Sequence, residues 1–264
     1  MIFRAGGAMA GDPDSDQGKM SFFEHLAELR TRIIWSLIPA LVGVLVAFRF
    51  SDQILHFVQR PLERLGLQLV QLTPTEAFWT SMKISMICGL FVAMPVILWQ
   101  VWAFVAPGLH KHERRFAAPF VVIGSLLFLI GASFALFVVV PFAVTFLLNF
   151  GKRQGIQPMI SVSSHVDFVI KFTLAFGFVF ELPLALTMLS MMGLVTPQFL
   201  SKNRKYAILM NFIIAAVLTP TPDVLNQTLM AGPLCILYEV GILAARIFGK
   251  RRRDPVPTAD VPGA

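Results

Sequence analysis

The stretch "AFGFVFELPLAL", residues 175–186, decides the fold. Eleven of its twelve residues are apolar or small, and one carboxylate, Glu181, sits in their midst. Burying a charge there gains nothing by itself, so the surroundings have to account for it. With 56% hydrophobic and 14% charged residues in 264, and a mean hydropathy of +0.72, the chain is too apolar and too charge-poor for an ordinary soluble domain. A helix crossing a hydrocarbon core about 30 Å thick needs about twenty apolar residues. Six runs approach that length, near 33–48, 81–103, 118–140, 168–192, 206–218 and 225–247. The expected fold class is therefore all-α, a polytopic membrane protein of six transmembrane helices. The 32 residues before the first run include Asp12, Asp14 and Asp16, so that run is expected to remain as a span rather than be cleaved.

Lys and Arg near span ends mark the cytoplasmic side. With the N-terminus inside, 15 of the 22 fall on inner segments, from Arg4, Lys19, Arg30 and Arg32 to Arg246 and Lys250 through Arg253. Both termini are then cytoplasmic. The basic balance reflects this rim rather than a nucleic-acid site, since no aromatic-basic module accompanies it. Residues 1–19 and 251–264 read as solvated, disordered ends flanking a membrane domain over 20–250.

Cys88 and Cys235 lie inside spans with no metal-ligand spacing and read as buried small residues. The five histidines cluster at span ends rather than in facing pairs, which argues against a membrane haem. There is no phosphate-binding loop, HExxH or GxSxG, so no enzyme, metal or cofactor is expected.

The inner face carries acids among bases. In "SFFEHLAELRTRI", Ser21 and Glu24 form a capping box that opens a surface helix leading into span one, and Glu28 lies one turn beyond Glu24. Glu113 sits in "PGLHKHERRF", between spans two and three. Taken alone, these acids read as local neutralisation, Glu28 by Arg32 at i,i+4 and Glu113 by a neighbouring arginine.

"HLAELRTR", "PVILWQVWAFVAPGLHKHERR", "FGFVFELPLAL" and "LTPTPDVLNQTLMAGPLCILYEVGI" occur in that order over about residues 20–250. Together they resemble the TatC family, multispanning receptor subunits of the twin-arginine protein translocase. The resemblance implies Sec-independent export of folded proteins across the bacterial inner membrane, driven by the proton motive force. The implied partners are twin-arginine signal peptides, the single-span subunits TatA and TatB, the lipid bilayer and further copies within the complex. A planar guanidinium suits a bidentate carboxylate, so two adjacent arginines call for two carboxylates on one surface. By similarity these are Glu28 and Glu113, oriented by Arg30, Arg114 and Arg115, with Phe104 as an apolar wall. The resemblance also marks Glu181, Val217 and Gln227 as intramembrane partner positions, and Pro61 and Asp223 as structural turn residues.

A carboxylate at a helix centre costs about 2.5–3.5 kcal/mol on insertion scales, so Glu181 is expected to face protein or water. Gly177, Glu181 and Ala185 fall on one face at four-residue steps and predict a small-residue groove, kinked by Pro183. Either Glu181 bonds a carbonyl freed by the kink, or it meets a polar group of a partner. Spans five and six both read as short, and Glu239 as a side chain that snorkels beside Arg246. The rival reading, a proton-coupled small-molecule transporter with Glu181 as relay, calls for internal repeats, and none is evident.

Overall fold

The computed structural model of the protein describes residues 22–63, 66–106, 117–218 and 224–249. The two chain ends, the Ser21 cap, and the sites at Glu113, Arg114, Arg115 and Asp223 lie outside them.

Helix α1 (Phe22–Arg49) joins the expected surface segment and the first span in one run of 28 residues. Its main neighbour is α3 (Glu76–Val105), and the contact is close because two glycines meet there. A Cβ on Gly43 would stand 2.9 Å from Gly89 Cα, so any larger residue would push the backbones apart. Elsewhere α1 exposes Ile34, Leu37, Leu41 and Leu45, a face that only lipid or another apolar surface can cover.

Between these spans lies a short helix, α2 (Ser51–Glu63), which turns Leu62 inward while Asp52, Gln53 and His56 stay exposed. Pro61 sits inside this helix, which corrects its expected place in a turn. The reversal comes at Gly66, whose φ of 72° is a backbone state glycine adopts without steric cost. The chain then forms β1 (Leu69–Val70), which pairs in parallel with β2 (Ile160–Ser161).

Helices α4 (Ala117–Phe134) and α5 (Val140–Arg153) form one continuous span through a π-helical turn at Ala135–Val139. Val140 N–H reaches back five residues to Ala135 O, and Pro141 has no N–H to offer the preceding turn, so the register slips there. Helix α6 (Val162–Phe180) is capped by Ser161 Oγ, which accepts from Ser164 N at 3.1 Å. After a break at Glu181, α7 (Leu182–Met191) completes that span. A six-residue α8 (Pro197–Lys202), α9 (Arg204–Leu218) and α10 (Val224–Phe248) follow.

Five helical segments among the described residues are long and apolar enough to cross a membrane, and α9 supplies the sixth run. At 15 residues α9 is about 22 Å long, short for a bilayer, as its sequence suggests. Span six is not short. Helix α10 has 25 residues, because its polar first turn is helical too: Gln227 Nε2 donates to Phe212 O of α9 at 3.1 Å. The core is packed by Phe128, Phe172, Phe176 and Leu234, contributed by α4, α6 and α10.

Candidate functional site

Glu28 lies at the end of the bundle where α1 begins and α3 finishes. Glu28 is half-buried and Arg30 exposed on α1. Arg32 donates to Glu28 through Nε at 3.0 Å, and through a second contact from Nη2. The same guanidinium donates from Nη1 to Gln100 Oε1 on α3 at 3.3 Å. Glu28 is thus tied through Arg32 to α3, one turn before Phe104, which is half-buried in that helix's last turn. The chain beyond Phe104 leads into the segment that carries Glu113.

The second site is the break at Glu181. Pro183 cannot donate a backbone hydrogen bond, and Glu181 N–H takes Phe178 O at 3.1 Å in a tightened turn. The Glu181 carboxyl turns into the bundle toward α4, where Gly124 makes room for it. A Cβ on Gly124 would stand 3.2 Å from Glu181 Oε2 and 2.7 Å from side-chain carbons of Leu98 and Leu184. Both carboxyl oxygens are buried without a hydrogen-bond partner among the described residues. An unsatisfied buried polar group costs about 1–3 kcal/mol, so the site is polar chemistry held in reserve.

The expected small-residue groove is not formed. Gly177 is filled by Phe128, whose Cε2 would lie 2.7 Å from an added Cβ, and Ala185 is exposed. The turn at Glu181 interrupts the helix between Gly177 and Ala185. Glu181 does not bond a carbonyl freed by the kink, since neither of its carboxyl oxygens has a partner among the described residues, while Thr187 Oγ1 donates to Pro183 O at 2.7 Å.

Val217 is 72% exposed near the C-terminal end of α9, while Gln227 joins α10 to α9. Glu239 is half exposed and accepts from Arg204 Nη2 at 2.7 Å rather than from Arg246, because the start of α9 packs beside α10 at that level, and Arg246 Nη2 donates to Ser201 Oγ at 2.9 Å.

Sequence reasoning passed over Glu76. Its Oε2 accepts from Leu72 N at 2.7 Å, and its Oε1 from Ser163 N, at the start of α6, at 2.8 Å. One carboxylate thereby fastens the entry of α3 to the entry of α6. One side of this clasp is reinforced by Lys83, which donates to Asp167 Oδ1 at 2.6 Å. An acid in a helix's first turn after "LTPT" was the available signal.

A family model described as Sec-independent protein translocase protein (TatC) matches residues 24–233. The Sec-independent protein translocase protein TatC of Carboxydothermus hydrogenoformans is 45% identical over 229 residues, 87% of this chain and 94% of that protein. The TatC of Escherichia coli K12 is 40% identical over 232 residues, 86% of this chain and 89% of its own. Two solved structures of the twin arginine translocase receptor TatC superpose on the fold. One has a TM-score of 0.73 at 40% identity, covering 85% of this chain and 99% of that one. The other, in DDM, has a TM-score of 0.75 at 41% identity, covering 86% and 100%.

Proposed function

The chain belongs to the TatC family of Sec-independent protein translocase proteins, and from that premise we propose that Glu28 and Glu113 grip the paired arginines of a signal peptide. It is a translocase receptor and not an enzyme, a multi-pass protein of the inner membrane, and the transporter reading is not favoured. With both termini cytoplasmic, the end of the bundle at Glu28 meets precursors before they cross.

The observation that carries the reading is the shared hold of Arg32 on Glu28 and Gln100. It sets one carboxylate on a rigid two-helix base, α1 on α3, rather than on a loop. The Arg32 and Glu28 side chains are only 25% and 19% exposed, so an incoming guanidinium that takes Glu28 from Arg32 has to replace the hydrogen bonds it displaces. Arg30, Arg114 and Arg115 orient the two carboxylates, and Phe104 offers an apolar wall next to the arginine pair. Glu181, Val217 and Gln227 form the intramembrane contact for TatA and TatB, and further copies join the complex as the proton motive force drives passage.

Site-specific crosslinking in native membranes tests the central assignment. A photoreactive residue at position 28 or 113 is expected to capture a signal peptide beside its arginine pair, and to lose it when the pair becomes Lys-Lys. Capture elsewhere on the peptide, or equal capture of the Lys-Lys peptide, overturns it.

A further inference from the structure

At the same end of the bundle as Glu28, the start of α9 and the later half of α10 flank an open cleft of about 550 Å³. Arg204, Glu239 and Arg246 form its polar rim, and Cys235, Ile236, Val240, Ile242 and Leu243 its walls. Ile236 and Leu243 are largely exposed, so the wall faces the membrane. We propose that this cleft binds one anionic phospholipid, its phosphate held by Arg204 and Arg246 and its acyl chains lying along Ile236, Val240 and Leu243.

Charge and depth both point to that ligand. The Arg204–Glu239 pair has side chains 48% and 50% exposed, and hydrocarbon solvates neither. A headgroup therefore has to reach that level. Glu239 precedes the end of α10 by nine residues, about 14 Å along the helix. Arg204 opens α9, only about 22 Å from that helix's far end. The polar boundary is thus drawn inward on this flank, and a lipid seated here follows it.

A guanidinium has five N–H donors. Arg204 uses Nη2 on Glu239 and Arg246 uses Nη2 on Ser201, which leaves donors on both for phosphate oxygens. Lys202 and Lys205, beside Arg204 in the chain, add two positive charges to a corner whose rim carries a single carboxylate. Two forks of this kind match a phosphodiester, and the apolar wall beneath them selects an amphiphile over a free phosphate.

Native mass spectrometry of the purified full chain, supplied with phosphatidylglycerol or phosphatidylcholine of identical acyl chains, tests the proposal. The chain is expected to retain phosphatidylglycerol in preference. Each of Arg204→Gln and Arg246→Gln is expected to weaken that retention roughly fivefold, at about 1 kcal/mol per basic residue near the surface. Glu239→Gln removes the competing carboxylate and is expected to strengthen it, a gain that a misfolded variant cannot produce. Equal retention of the two lipids, weaker retention in Glu239→Gln, or displacement of the lipid by millimolar glycerol phosphate overturns the proposal.

Discussion

Glu181 and Gly124 are a matched pair: the carboxyl lies where a side chain on the glycine would stand, 3.2 Å from a Cβ at that position. Nothing but hydrogen fits between α4 and the break in the fourth span. Gly124→Val is therefore expected to displace Glu181, Leu98 and Leu184 together and to cost about 1–3 kcal/mol by overpacking. Thermal unfolding of the purified protein and export of a twin-arginine reporter should both fall. Gly151→Ala, at a helical glycine with open space around it, should change neither. An export-competent Gly124→Val of normal stability would show that the pairing is incidental.

Substitution of Glu181 itself separates docking from proton relay. An amide retains an acceptor and adds donors, so Glu181→Gln is expected to support export and crosslinking to TatA and TatB, while Glu181→Ala impairs both. The loss of a partner for a buried group costs about 1–3 kcal/mol, enough to lower occupancy roughly five- to a hundredfold. Equal inactivity of Gln and Ala with intact crosslinking would assign a titrating role instead.

At the signal-peptide site, Glu28→Ala and Glu113→Ala should each weaken binding of an Arg-Arg peptide. Truncating one partner of a desolvated pair costs about 3–5 kcal/mol, against about 0–1 kcal/mol for an exposed one, so the size of the defect reports burial. Arg32→Gln removes both the competitor for Glu28 and its tether to Gln100. These effects oppose each other, and its net change should be smaller than that of Glu28→Ala. Titration of a fluorescent signal peptide measures all three variants, and unaltered binding by the double Ala variant removes the assignment.

Glu76 makes hydrogen bonds to charge that are worth about 1.5–3 kcal/mol each. Glu76→Ala releases Leu72 N and Ser163 N, and the purified protein should unfold at a clearly lower temperature while inner-side signal-peptide binding is kept. A loss of peptide binding at unchanged stability would mean that the clasp reports to the far side of the membrane.

Val217 presents an exposed side chain with no structural duty visible at the α9 surface. Val217→Lys is expected to leave unfolding unchanged and to reduce crosslinking of α9 to TatA or TatB, since a cation there cannot be buried in an apolar contact. Undiminished crosslinking would move the partner contact to another face.

The sequence made the spans legible because each is a long apolar run, and even α9 announced its shortness. It made the break at Glu181 legible through Pro183. What it concealed has a common cause: polar residues whose partners lie far along the chain. The start of α10 reads as too polar to lengthen the sixth span until Gln227 is seen to bond Phe212 of α9. Glu239 was read against Arg246 on its own helix, yet it pairs with Arg204, 35 residues away. Helix α2 went unseen since it is polar overall, with only a narrow apolar stripe at Ile54, Val58 and Leu62. The groove at Gly177 failed because helical periodicity cannot be carried across a break. The roles of Glu28 and Glu113 came through resemblance, for the residues alone read equally well as locally neutralised charge.

The clasp at Glu76 also sets a clock on biogenesis. Its two halves are 87 residues apart, and between them lie the whole of α3 and the α4–α5 span. While the chain is still emerging from the ribosome, Glu76 has no Ser163 to hold, and β1 has no β2. The clasp can close only after both intervening spans have been inserted in opposite directions and the start of α6 has been delivered to the same side. A chain that threads either span the wrong way leaves that carboxylate and strand edge unmatched. Closure of the clasp is thus a topological checkpoint, passed once, when the first three spans are in place and α6 begins.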